Sequence, residues 1–430
     1  MMQRYFIFLF SPLLLLATST ITVFDEASLR PVPNACVIDT QGECHRTDAD
    51  GTVRLADAVD EIRVKACGYR PYRARLESDS TYSVVTVEPI RVKALYLSFW
   101  GASMSSERFE EVLTLAKQTE INAVVVDVKN EYGLTSYKTA VADAARCKAH
   151  CSRTIRNLPE FLKRWKKEGI YTIARIVVFK DPQRAAAMPE MALKRTDGTL
   201  WQNNEGLSWV DPFLEANRRY NVDIAEDAAR MGFDEINFDY IRFPETPGLR
   251  FSQENRRENR VATVAAFLKS ARDRLQPYGV FISVDTFGQV SWDKGDTGIG
   301  QTVASMAQYA DYISPMLYPS GFSSGWMGLK DPTSDVSKVV YGSLERLGIE
   351  PVRVRPWLQA FRDYAHGKSR FGATKIRAQI DAAERYGSGG WLLWNPRSRY
   401  THAGLRPARA PGFSVAGAPE LSAPKADRSF

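Results

Sequence analysis

Three apolar segments of the chain carry an acidic residue at the same step of a two-residue rhythm. In Glu235-Ile-Asn-Phe-Asp-Tyr-Ile-Arg-Phe, Asn237 and Asp239 share one face and Ile236 and Phe238 the other. In Phe281-Ile-Ser-Val-Asp-Thr, Ser283 and Asp285 oppose Ile282 and Val284. In Ala123-Val-Val-Val-Asp-Val-Lys, Asp127 and Lys129 oppose three valines. Alternate residues of a strand point to opposite faces, so each segment has one apolar and one polar face. Carboxylates gathered in this way suit glycosidic bond hydrolysis. That reaction needs one carboxyl group to attack or stabilise the anomeric carbon and a second to protonate the leaving oxygen. Asp239 is the expected nucleophile or its inverting equivalent, Asp285 the first choice for the acid, and Asp127 the third candidate. The competing reading of each is a buried structural Asp paired with Arg175 or Arg242. Glu131, Asp181, Glu205, Asp211 and Glu245 lie in loops and are open as alternative acids.

The same parity turns Arg175, Ser314, Met316, Tyr318, Trp357 and Gln359 toward the acidic face of other segments. Aromatic faces pack on the apolar faces of pyranose rings, and charged or amide groups hydrogen-bond the hydroxyls. The candidate substrate contacts are Arg175, Asn237, Arg242, Tyr318, Trp357, Gln359, Trp394 and Asn395, facing an oligosaccharide or polysaccharide. Trp100, Trp201, Trp209 and Trp326 could add subsites, or pack as ordinary core. No cofactor is implied. With four scattered His and no HxH, no metal site is expected.

These residues require elements that bring them together. From Lys93 onward, apolar strands alternate with amphipathic helices, which signals βαβ units and a parallel sheet. Eight strand candidates are predicted at Ala94–Trp100, Ala123–Lys129, Tyr171–Phe179, Glu235–Phe243, Val280–Phe287, Tyr312–Pro319, Val352–Phe361 and Gly390–Asn395. The number and spacing predict a (β/α)8 TIM barrel over 93–404, with its active site at the C-terminal strand ends. A doubly wound sheet would bring a Gly-rich phosphate loop after its first strand, and Ser98-Phe-Trp-Gly-Ala is not one. Residues 20–92 instead carry short β-branched runs separated by turns such as Asp48-Ala-Asp-Gly51, which predicts a small all-β sandwich. The Asp48 and Asp50 pair is read as turn-forming before calcium-binding.

Ahead of that unit, Tyr5–Ala17 is apolar behind one Arg, as in a secretory signal over 1–19; an uncleaved anchor is the alternative. This expectation places the protein outside the cytoplasm, periplasmic or extracellular, with no stable membrane insertion after cleavage. Local pairs Cys36–Cys44 and Cys147–Cys151 are plausible in that compartment, leaving Cys67 free, and other pairings stay open. Residues 405–430 are Ala/Pro/Gly-rich and read as a disordered tail. The 430 residues carry a formal charge of +7 spread along the chain. That excludes a dedicated nucleic-acid module, which would show a basic stripe, but suits tolerance of anionic polymers. Nothing in the sequence fixes the oligomeric state.

Two resemblances extend this reading. The run "PVPNACVIDTQGECHRTDADGTVRL" with the later "ACGYRPYRARL" resembles the carboxypeptidase-regulatory-like domain, which implies an accessory role for residues 20–92. In the barrel, "NAVVVDVKNEYG", "IARIVVFKDP", "WVDP", "GFDEINFDYIRFP", "ISVDTFG", "YISPMLYPSGF", "RPWLQAF" and "GGWLLWNP" occur in order. Together they resemble the family called "putative glycoside hydrolase domain", an amylase-like TIM-barrel group. The resemblance implies Asp239 and Asp285 as site residues by position, Asp239 standing where amylase-like enzymes carry a nucleophile at the end of the fourth strand. The expected function is an exported glycoside hydrolase. The alternative is a non-catalytic carbohydrate-binding or envelope-assembly protein on a degenerate barrel; a metal-dependent hydrolase or deacetylase is the weaker third reading.

Overall fold

The computed structural model describes residues 19–56, 59–76 and 81–408. The segment read as an export signal, up to residue 18, and the tail from 409 onward lie outside the described residues. Eight parallel strands close into a barrel. They are β1 (Val92–Leu97), β2 (Ala123–Lys129), β3 (Tyr171–Val177), β4 (Glu235–Asp239), β5 (Phe281–Phe287), β6 (Tyr312–Met316), β7 (Trp357–Gln359) and β8 (Gly390–Trp394). Each pairs with its sequence neighbour, and β8 closes on β1. The crossovers are α1 (Glu107–Gln118), α2 (Leu158–Lys166), α3 (Glu215–Met231), α4 (Arg257–Leu275), α5 (Val303–Met306), α6 (Val336–Leu344) and α7 (Ala373–Tyr386). This is the predicted TIM-barrel order.

The two-residue rhythm sorts the strands into two layers. Leu95, Val124, Val126, Ile236, Phe238, Ile282 and Val284 join Phe109, Phe161, Ile224 and Phe267 from the helices in one buried layer. Ala94, Tyr96, Val125, Ile173, Phe281, Tyr312, Trp357 and Leu392 fill the barrel itself. A β-branched run such as Val124–Val126 suits a strand buried on both faces. The helices begin at polar caps, as where the Ser106 side chain accepts a hydrogen bond from the Phe109 amide ahead of Glu107 and Glu110.

Several boundaries differ from expectation. The predicted strand over 352–361 shrinks to Trp357–Gln359, because Pro351–Arg353 forms a 3-10 turn and Pro356 cannot donate to a ladder. The helix expected over 300–310 is one turn. Lys129 departs from its parity. The β2–β3 register shifts between Arg175 and Ile176, so Lys129 pairs with Ile176, an outward residue. Its ammonium reaches Asn221 on α3 and ion-pairs with Asp181 at 2.7 Å, outside the barrel.

The N-terminal unit consists of a three-stranded and a four-stranded sheet. Ile21, Leu55 and Val85 from one and Val37, Ile62 and Val64 from the other share a single core. The four-stranded sheet includes the short strand Cys44–Arg46. Cys36 and Cys44 are disulfide-bonded, whereas Cys67, Cys147 and Cys151 are free. The Cys147–Cys151 pairing is therefore corrected: Cys147 is buried at the end of a short helix and Cys151 is exposed beyond the turn. Asp48 accepts hydrogen bonds from the Asp50 and Thr52 amides, the turn role expected of it.

This unit docks on the N-terminal end of the barrel. Lys65 bonds the Val280 carbonyl at 3.1 Å and Asp311 at 2.9 Å, and the Gly68 amide donates to the Tyr312 hydroxyl at 3.0 Å. Just inside that end, Arg355 and Tyr171 converge on Glu235. At the far side of the chain, Arg406 bonds Asp381 and Glu384, and Ala408 bonds the Gln118 carbonyl, so packing continues past residue 404.

Candidate active site

The strands deliver their last inward residues to one cleft of about 290 Å³ at the C-terminal end of the barrel. Arg175, Asp239, Arg242, Asp285, Tyr318, Trp357 and Trp394 line it, all expected there from sequence. The β4–β5 register aligns Phe238 with Val284, which sets Asp239 and Asp285 side by side on neighbouring strands.

Arg175 organises the acidic side. Its guanidinium donates to Asp239 Oδ2 at 2.5 and 3.1 Å and to Asp127 Oδ1 at 2.6 Å. It also lies 4.9 Å from the Trp394 ring centroid. Burial opposes its charge, yet Asp127 and Asp239 together hold its pKa well above the ordinary value. The remaining oxygen of Asp239 accepts a 2.6 Å bond from the Tyr240 amide, which Tyr240 aims by adopting a positive φ of 54°.

Asp285 has the opposite character. Burial and then the nearby charge of Asp239 push its carboxyl well above the usual range, against the Asn237 and Trp357 hydrogen bonds. Those bonds, at 2.8 Å from Asn237 Nδ2 and 2.7 Å from Trp357 Nε1, both fall on Oδ1. Among the described residues none reaches Oδ2. The arrangement sets an ion-paired carboxylate beside a carboxyl that favours its proton, the separation of roles that acid and base chemistry needs.

Four expected site residues, the catalytic candidate Asp127 and the contacts Asn237, Gln359 and Asn395, do not line the cleft. Asp127 is 1% exposed and holds Arg175 from behind, with its other oxygen taken by Tyr96 at 2.6 Å. Burial raises its pKa first of all, against Arg175. Asn237 sits one strand step below Asp239, bridging to Ser283 and Asp285. Gln359 is consumed by the loop after β6, bonding the Ser320 amide, the Ser320 hydroxyl and the Phe361 carbonyl. Asn395 fastens the loop after β8 through the Arg397 and Arg399 amides and bonds the Ala360 carbonyl. Parity predicts direction but not depth, so it could not tell these buried polar groups from those at the surface of the cleft.

The loop carboxylates Glu131, Asp181, Glu205, Asp211 and Glu245 are likewise outside the lining. Asp181 is tied to Lys129, Glu205 pairs with Lys180, and Asp211 accepts the Phe213 and Ser252 amides. Of the tryptophans, Trp201 and Trp209 are buried and Trp100 is 62% exposed.

Sequence reasoning missed Tyr240, Phe287, Gln289, Phe322 and Tyr364 as lining residues. Phe287 carried a usable signal, since it continues the Ser283–Asp285 face. Gln289, Phe322 and Tyr364 come from loops, where no periodicity applies. Tyr318 is partly buried in the cleft wall, and desolvation together with Asp285 and Asp239 raises its hydroxyl well above the ordinary pKa.

Among solved structures, the glycoside hydrolase domain of PgaB (BpsB) from Bordetella bronchiseptica is similar at 13% identity. The match covers 72% of this chain and 95% of that one, with a TM-score of 0.54, a likeness of fold. A hypothetical protein from Ruminiclostridium thermocellum is 36% identical over 44% of this chain and 96% of its own, TM-score 0.40. A chitinase from Rhizomucor miehei is 11% identical over 72% and 97%, TM-score 0.44. No curated protein matches the chain. The family described as "Putative glycosyl hydrolase domain" matches residues 94–400, from the first barrel strand to the loop beyond the last, and the chain belongs to that family.

Proposed function

We propose that the protein is an exported glycoside hydrolase that cleaves a polysaccharide with Asp239 and Asp285 as its carboxyl pair. The observation that carries this reading is the pair itself. Two carboxyl groups on adjacent strands line one aromatic cleft, with one ion-paired to Arg175 and the other pushed toward its protonated form. In the proposed reaction Asp285 donates its proton to the glycosidic oxygen as the C–O bond breaks. Asp239 stabilises or bonds the anomeric carbon on the other side, and water completes the hydrolysis. Trp357 orients Asp285, and Arg175 orients Asp239. The amylase-like position of Asp239 is consistent with this assignment. Export rests on the apolar segment Tyr5–Ala17, and no helix among the described residues is long and apolar enough to cross a membrane. An accessory role for the N-terminal unit rests on its resemblance and on its docking at the end of the barrel away from the cleft.

A second reading is favoured by one specific feature: both oxygens of Asp239 already carry protein hydrogen bonds. That arrangement suits a degenerate barrel that binds glycans without cleaving them. Reducing-end release from a panel of bacterial and plant polysaccharides separates the two. The glycosidase releases ends as wild type, and Asp239→Asn loses activity by about 10³-fold or more while folding normally. An Asp239→Asn protein with full activity would overturn the assignment, and binding without release by wild type would select the second reading.

A further inference from the structure

The cleft holds a second arginine on which the carboxylates of Asp239, Glu245 and Glu205 act only from beyond ion-pair reach. Arg242 follows β4 by three residues and lines the cleft beside Asp239. Its guanidinium lies 4.5 Å from the Phe287 ring centroid, 4.9 Å from Trp209 and 5.3 Å from Tyr240. Three ring faces therefore hold it by cation–π attraction, which fixes a cation without consuming its N–H donors. Its one hydrogen bond among the described residues is a long one, 3.4 Å from Nη1 to the Phe243 carbonyl. It makes no ion pair among those residues, in contrast to Arg175, which ion-pairs with two carboxylates. A guanidinium has five donors in a fork that matches a carboxylate or other planar oxyanion. A neutral sugar hydroxyl would use one donor and leave the charge uncompensated.

We infer that Arg242 is a specificity residue for an anionic saccharide, receiving a carboxylate-bearing sugar in the subsite next to the scissile bond. The inference rests on the glycan-binding reading above and deepens it. The positive formal charge of the chain, +7, favours the approach of such a polymer without selecting it. The fork in the subsite does the selecting. Its restraint by Phe287, Trp209 and Tyr240 means the donors are aimed before the ligand arrives.

The test uses the full chain and paired oligosaccharides: hexuronic-acid oligomers, their carboxyl-reduced counterparts, and a set of neutral glycans. Binding and reducing-end release are measured for wild type, Arg242→Gln and Arg242→Lys. Wild type is expected to prefer the acidic member of a pair by about tenfold or more. That preference should collapse toward unity in Arg242→Gln and be partly restored in Arg242→Lys. A preference that survives Arg242→Gln, or wild-type binding confined to neutral glycans, would overturn the inference while leaving the glycan reading intact. Failure to bind or cleave any glycan would instead remove the reading on which it rests. Arg242→Gln also need not unfold the chain, and a matched melting temperature for the two variants verifies that the lost preference is a loss of charge.

Discussion

Asp285 is a buried carboxyl with a proton it holds more tightly than a free Asp, and this makes two measurable statements about pH. As the proton donor of the proposed reaction, it must be protonated, so turnover should fall as pH rises through its elevated pKa. In Asp285→Asn, turnover should drop by about 10²–10³-fold and that alkaline limb should vanish. The stability effect runs in the same direction. Its folded pKa lies above the unfolded value near 3.8, so the native state binds more protons between the two. Stability therefore declines as pH climbs from about 4 through the folded pKa, then levels off. Denaturant midpoints across that window should show a decline in wild type that Asp285→Asn lacks. Asp127 tests a different role. It touches Arg175 rather than the cleft, so Asp127→Asn should lower turnover by about tenfold and cost about 3 kcal/mol through the weakened buried pair. A loss as complete as that of Asp239→Asn would return Asp127 to the catalytic set.

At the scale of the elements, alternation along the strands explains which residues share the cleft, and closure of the sheet explains why they meet. The closing contact is between β8 and β1, where Gly390 pairs with Val92. Gly390 has a φ of +134°, and a Cβ there would stand 1.9 Å from the Val92 carbonyl oxygen. Gly390→Ala should therefore destabilise the barrel by about 3 kcal/mol, read as a fall in the unfolding midpoint. A midpoint unchanged by this substitution would mean that the seam relaxes freely and that the close approach is not a constraint. Trp394 closes the cleft from the same strand, stacked on Tyr96 with centroids 3.9 Å apart. A loosened seam would thus disturb the aromatic wall as well as the fold.

Across the whole molecule, the two folded units meet at the end of the barrel opposite the cleft. Lys65 supplies a half-buried ion pair with Asp311 across that junction. Lys65→Met should lower stability by about 1 kcal/mol and leave kcat and KM as they are, measured by thermal unfolding beside steady-state kinetics. An altered KM would instead tie the N-terminal unit to substrate. The Cys36–Cys44 disulfide belongs to that unit and closes a loop that contacts Gln276 of the barrel through the Gly42 carbonyl. The family match begins at residue 94, after this unit. The barrel is thus the shared part and the N-terminal sandwich its fitted base.

Two-residue alternation and the strand–helix rhythm are local properties, and the barrel, its strand order and the direction of its inward side chains follow from them. Asp239, Asp285, Arg175 and Trp357 were legible on that ground, and so was the close Cys36–Cys44 pair. Tertiary structure decided which polar residues end at the cleft and which are consumed beneath it. Asp127, Asn237 and Gln359 share the parity of cleft residues but meet partners on neighbouring strands and loops before they reach it. Lys129 left its face because a register shift between two strands changed its neighbour, and no single segment encodes such a shift. Arg242 shows the same division: its type was visible in the sequence, but two of the three rings that hold it, Trp209 and Phe287, come from segments distant along the chain. Charge compensation is a sum over all neighbours in space, and only the folded chain fixes who those neighbours are.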